Sequence, residues 1–216
     1  MTKRATVSKA PESVVVLPGF GDTPRYWAKD MGQALGGGAL HLVEWAGLWG
    51  EKSAPDPVQD TVERAAALVS TDTVVVGHSL GARVALSVAA RTKPTGVVLL
   101  APALGPLSFL AEQELSAWRR TGVRMSARPD PVTGCLVEVS VPVAFAEGVL
   151  ILEVPTPRVP VLVITMSSDE RHNNYTRELL PAAAVAAVPG STASGKTPRR
   201  ALLLWRSGIG GGKKPF

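Results

Sequence analysis

Short runs of β-branched and aliphatic residues alternate along this chain with segments whose apolar residues recur at helical spacing. Ser13–Leu17, Leu40–Glu44, Thr73–Val76, Val97–Leu100 and Val159–Thr165 are mostly apolar, as strands covered on both faces must be. Ala182–Val188 reads as a last strand. Between these runs, helices are predicted over Arg25–Leu35, which Gly36-Gly37-Gly38 ends, over Val58–Ser70, and over a segment reaching Arg91. Val62, Ala65, Ala66 and Val69 share one face of the second helix, and Val84, Ala85, Val88 and Ala89 one face of the third. Strands alternating with helices predict an α/β fold, a mostly parallel sheet covered by helices on both faces.

From Pro102 to Pro157 the rhythm loosens. A helix over Phe109–Arg120 is followed by short pieces punctuated by proline and glycine. This stretch reads as a lid inserted into a single domain spanning 1–190, with 191–216 as a separate tail. A loop at Met166–His172 follows the Val159–Thr165 strand.

Composition narrows the class. With 216 residues, 45% hydrophobic and 19% charged, the chain has the apolar material for one large core, which excludes disorder as its main state. Its single cysteine, Cys135, cannot make an intrachain disulfide. No run of about 18 apolar residues is present, so no membrane-spanning helix is expected. Lys3, Arg4 and Lys9 precede an apolar run of only Val14–Leu17, too short for a secretory leader, and a cytoplasmic address is expected. The net charge of +5 suggests a nucleic-acid partner until it is located. Six basic residues and no acid lie in 191–216, leaving 17 basic against 18 acidic residues elsewhere. A near-neutral body with a basic, glycine-rich tail points away from nucleic acid and toward a small-molecule partner.

Gly77-His78-Ser79-Leu80-Gly81 joins a predicted strand to a predicted helix. A sharp strand-to-helix turn lifts a serine hydroxyl to the carboxyl edge of the sheet, and glycines on either side leave room where side chains would strike the backbone. The helix amino terminus behind it favours developing negative charge.

On these residues the chain resembles the α/β-hydrolase family, and the likeness extends over roughly 13–190. Leu17-Pro18-Gly19-Phe20-Gly21 is similar to the family's oxyanion loop, with Pro18 where a histidine is usual. The resemblance implies Ser79 as nucleophile and the backbone N–H groups of Phe20 and Leu80 as the oxyanion hole. Pro160–Ile164 followed by Ser167-Ser168-Asp169 resembles the late strand and acid loop, implying Asp169 as the residue that orients the base. Two early strands of the fuller family core have no counterpart before Ser13, which implies a compact version.

The family's histidine follows the last strand, in a segment similar to Val188-Pro189-Gly190, but here no histidine occurs after His172. His41 opens a strand and reads as packing or surface. His78, preceding the nucleophile, reads as structural. His172, three residues beyond Asp169 on the predicted loop, is the remaining candidate base.

A rival pattern lies in the tail. Gly190-Ser191-Thr192-Ala193-Ser194-Gly195-Lys196-Thr197 fits G-x-x-x-x-G-K-[ST], in which Lys196 and backbone amides would hold nucleotide phosphates and Thr197 would meet Mg²⁺. Only 19 residues follow it, and Pro198 stands in the first turn of the helix it requires.

One cysteine and three scattered histidines give no metal-ligand spacing, and no cofactor is expected. Trp45, Trp49, Phe109 and Trp118 either line an apolar substrate pocket or pack the lid on the core. Three functional classes stay open, one of them the phosphate-loop reading of Gly190–Thr197. The first is a serine hydrolase cleaving a small-molecule ester or thioester through Ser79. The second is a non-hydrolytic or inactive protein of the same fold that binds a ligand or promotes cyclisation or elimination.

Overall fold

The computed structural model describes residues 11–27, 38–49, 51–130, 132–166 and 170–188. Its strands are β1 (Ser13–Leu17), β2 (Ala39–Leu42), β3 (Thr73–His78), β4 (Gly96–Leu100), β5 (Val123–Pro129), β6 (Leu136–Pro142), β7 (Val161–Met166) and β8 (Ala184–Val188). Its helices are α1 (Pro57–Ala66), α2 (Gly81–Arg91), α3 (Glu112–Thr121), α4 (Val143–Ile151) and α5 (Glu170–Leu179).

Six strands form one parallel sheet in the order β2-β1-β3-β4-β7-β8. The strand that ends at the Gly77–Gly81 turn therefore lies inside the sheet. Successive residues of each strand face opposite sides, and in the inner strands β1, β3 and β4 both sides are buried. Val15, Leu17, Val75, Val97, Leu99, Val161 and Val163 join one core with residues of α1, α2, α3 and α4. Val14, Val16, Val74, Val76, Val98, Leu100 and Ile164 form the core of the other side.

The main departures from the sequence-based expectations lie outside the sheet. The expected Val58–Ser70 helix ends at Ala66, and the chain then turns into β3. Of the Arg25–Leu35 helix, the described part is a 3₁₀ turn over Pro24–Trp27, and the remainder lies outside the described residues. Residues 123–142 are a regular antiparallel hairpin, β5–β6, rather than short pieces. Its β5 strand is inside out: Arg124, Ser126 and Arg128 face inward while Val123 and Met125 are exposed. The inward arginines lie over aromatic rings, Arg124 at 5.7 Å from the Trp118 centroid and Arg128 at 5.5 Å from that of Phe20. Each ring face offers a guanidinium the negative end of its quadrupole.

Candidate active site

β3 enters the turn with its last residues paired to β4, and Ser79 N–H still donates to the Leu100 carbonyl at 2.9 Å. Ser79 then adopts φ +49°, the left-handed region that a side chain seldom occupies. The chain enters α2 immediately, with Ala82 N–H on the Ser79 carbonyl. Both flanking glycines are sterically required. A Cβ on Gly77 would lie 2.6 Å from the Gly81 carbonyl oxygen, and one on Gly81 would lie 2.5 Å from that of Pro18. The second contact brings the loop after β1 directly against the turn.

That loop covers the serine. A Cβ placed on Gly19 would stand 3.4 Å from Ser79 Cβ and 3.1 Å from His78 Nδ1. The Gly19 carbonyl accepts from Trp45 Nε1 at 2.7 Å and from the Asp22 amide at 3.2 Å. Among the described residues, neither the Phe20 nor the Leu80 amide donates to another backbone carbonyl. Leu80 follows the serine in the chain, and Phe20 follows Gly19, which lies against it.

The Phe20 ring anchors the loop in an aromatic cluster, stacked on Phe109 at 4.6 Å and edge-on to Phe145 and Trp118 at 5.7 and 6.2 Å. Arg128 reaches it from the β5–β6 hairpin and lies beside Gly21, whose Cβ would be 3.3 Å from Nε. Asp22 is held above the usual carboxylate pKa by burial, which the Thr23 amide and Arg128 partly offset. Glu44 is raised by burial as well, while Thr23 Oγ1 and Arg25 Nε donate to it at 2.6 and 2.8 Å.

The segment after β4 forms the opposite wall. Ala103 N–H donates to the Ser79 carbonyl at 3.0 Å. Arg83, in the first turns of α2, donates to the Ala103, Leu104 and Gly105 carbonyls at 3.0, 2.9 and 2.6 Å. Gly105 in turn lies under the Tyr175 ring of α5, where a Cβ would come within 2.7 Å. Ser79 opens between these walls into a cavity of about 700 Å³ lined by Arg83, Leu107, Phe109, Leu110, Val149 and other residues.

Of the residues singled out from sequence, Ser79 opens the turn into α2 with Leu80 next to it in the chain, and the Gly19 position that precedes Phe20 lies against Ser79. Phe109 lines the cavity, whereas Trp45 and Trp118 do not. Trp45 is fully buried, edge-on to Phe145 at 4.8 Å, and Trp118 is buried with Nε1 on the Val141 carbonyl at 3.1 Å. An indole N–H taken from water needs an acceptor, and both find theirs in the protein backbone. Trp49 is half-buried against the same core with φ +56°. His172 stands in the first turn of α5, not on a loop, and its side chain is outside the described residues. The helix begins at Glu170, inside the segment read as a loop through His172. Asp169 itself lies outside the described residues, as does the Gly190–Thr197 pattern. His78 titrates at about 4 because burial disfavours its charged form.

Arg83 was missed in the sequence. The available signal was a lone charge in an otherwise apolar helix, Gly81–Ala90. Among the described residues no group of three or more His, Cys, Asp or Glu gathers as a metal site, and no helix is long and apolar enough to cross a membrane.

No curated protein sequence matches the chain. Among solved structures, a monoacylglycerol lipase of Paleococcus ferrophilus superposes with a TM-score of 0.67 at 17% identity, over 93% of this chain and 96% of the lipase. An esterase from a marine microorganism gives 0.61 at 13% identity, over 91% and 95%. RedJ, a thioesterase of the prodiginine biosynthetic pathway in Streptomyces coelicolor, gives 0.58 at 14%, over 96% of each chain. At these identities the likeness is one of fold. The sequence profile described as "Alpha/beta hydrolase family" matches residues 14–208. With its parallel sheet, its glycine-flanked serine turn and this match over most of its length, the chain belongs to the α/β-hydrolase family.

Proposed function

We propose that the chain is a serine hydrolase that cleaves an ester or thioester of an apolar small molecule, with 102–157 as its lid. One observation carries the reading: Ser79 is held at φ +49° between two glycines that tolerate no Cβ, at the mouth of a cavity large enough for an acyl chain. Such strain persists only where the surroundings impose it, and it clusters at reacting groups.

In this reading Ser79 Oγ attacks the substrate carbonyl carbon while its proton passes to a base, and the carbonyl π electrons move onto oxygen. The Phe20 and Leu80 amides stabilise that oxyanion. Collapse expels the alcohol or thiol, which recovers the proton, and water repeats the sequence on the acyl-enzyme. His172 is the candidate base and Asp169 the carboxylate that orients it. Support for that assignment is the contact of α5 with the cavity wall through Tyr175 and Gly105. His78 is a poor candidate, because a group titrating at about 4 has little tendency to take a proton from a serine. Leu107, Phe109 and Leu110 favour an apolar acyl group.

The second reading, ligand binding without hydrolysis, is favoured by the cavity lining, in which the described residues include no histidine or carboxylate beside Ser79. A fluorophosphonate probe separates the two. Labelling of the wild type that disappears in Ser79→Ala supports the hydrolase, and an unlabelled wild type overturns it.

A further inference from the structure

We infer that Trp45, buried and outside the lining of the substrate cavity, is a positioning residue that aims the Phe20 N–H at the oxyanion. This inference rests on the hydrolase reading given above.

The carbonyl of Gly19 and the N–H of Phe20 belong to the same peptide group, and in a trans peptide they point in opposite directions. No cis bond occurs among the described residues. Whatever holds the Gly19 oxygen therefore sets the direction of the Phe20 hydrogen. Trp45 Nε1 donates to that oxygen at 2.7 Å, and the Asp22 amide donates to it at 3.2 Å. A carbonyl has two lone pairs, so both are engaged and the plane loses its freedom to rotate. The loop would otherwise be free to flip there, because Gly19 carries no side chain to restrict it.

The donor is itself immobile. Trp45 is fully buried, and its ring stands edge-on to Phe145 at 4.8 Å, while Phe145 meets the Phe20 ring at 5.7 Å. Both ends of the Gly19–Phe20 unit, carbonyl and side chain, are thereby tied to one aromatic core. Trp45 is also placed by the sheet: Val43 N–H donates to the Val16 carbonyl at 3.0 Å, which carries the β1–β2 ladder one residue past β2. A hydrogen bond accepted at the carbonyl also polarises the amide, making its N–H a stronger donor. Trp45 thus contributes direction and strength to a group that it never touches.

The test keeps the ring and removes the donor. In Trp45→Phe, kcat on a p-nitrophenyl ester is expected to fall about tenfold with KM within twofold, since misaiming costs less than deleting an oxyanion donor outright. The inhibition constant of a trifluoromethyl ketone, which forms the tetrahedral oxyanion, should rise by the same factor. Replacement of Trp45 by benzothienylalanine, which preserves the bicyclic shape without an N–H, should reproduce both effects if the phenylalanine variant folds poorly. The carbonyl ¹³C resonance of Gly19 should move upfield in either variant, a reading that does not depend on catalysis. Unchanged kcat with an unmoved Gly19 resonance overturns the inference, and so does a loss that falls on KM alone. An inactive, unlabelled wild type instead overturns the hydrolase reading on which it rests.

Discussion

Arg83 Nη2 donates to the Gly105 carbonyl at 2.6 Å, so the helix that begins behind Ser79 grips the loop forming the far wall of the cavity. The same guanidinium reaches the Ala103 and Leu104 carbonyls. One rigid fork thereby fixes three consecutive peptide groups, which a lysine ammonium on a flexible stem cannot span. Arg83→Met should lower stability by about 2 kcal/mol, the scale of hydrogen bonds to a charged group. Arg83→Lys should recover less than half of that loss. Urea titrations followed by circular dichroism measure both, and a methionine variant as stable as wild type would remove the grip from consideration.

The two turn glycines make a sharper prediction. Gly81→Ala sets a methyl group 2.5 Å from the Pro18 oxygen and 2.6 Å from the Leu17 oxygen, and neither backbone atom can swing aside as a side chain would. A loss of about 3 kcal/mol or more is expected, with phosphonate labelling reduced in whatever folded protein remains. Gly122→Ala is the control, since a Cβ there meets nothing within 4 Å. Its cost should be confined to the left-handed conformation, about 1 kcal/mol. Thermal melts of the two variants test the contrast.

His78 gives a pH dependence whose sign is set by burial. Its folded pKa, about 4, lies below the value of 6.5 expected in an unfolded chain. Between those values the unfolded chain holds the extra proton, so stability rises with pH across this window. The contribution is complete above about 6.5 and is lost as pH falls toward 4. Unfolding free energies at pH 7, 6, 5 and 4 should show a steeper decline in the wild type than in His78→Gln. Parallel curves would mean that the folded imidazole titrates normally.

The cavity wall sets acyl length in the proposed reaction. Leu107→Trp adds an indole to the space beside Ser79. Hydrolysis of a p-nitrophenyl ester with a long acyl chain should fall about tenfold while that of the acetate changes little, because lost pocket contacts scale with buried methylenes. Equal losses on both esters would place the acyl group elsewhere.

Much of this arrangement was legible in residue order because its causes are local. Val14–Leu17 and Val74–Val76 are continuous apolar runs, and only a strand buried on both faces uses them in full. Gly77-x-Ser79-x-Gly81 was legible for the same reason, since clashes within one turn and with the adjacent loop dictate the glycines. The β5–β6 hairpin was not. Its inward Arg124 and Arg128 and outward Val123 and Met125 reverse the polarity that period-two reading relies on. His172 lies in a helix that begins at Glu170 and not on the predicted loop, because the polar Glu170–Asn174 stretch carries too few apolar residues to show helical spacing.

The sequence by itself determined the layered α/β fold and the sharp serine turn, because both follow from burial on two sides and from crowding within a few residues, while the loop that faces the turn was legible only through the family resemblance. Only the tertiary structure decided what the tryptophans and Arg83 do. Residue type says that a tryptophan seeks apolar surroundings with one acceptor for its N–H. Which acceptor that is depends on packing between segments far apart in the chain, and it made Trp45 a support for Gly19 and left Phe109 to line the cavity.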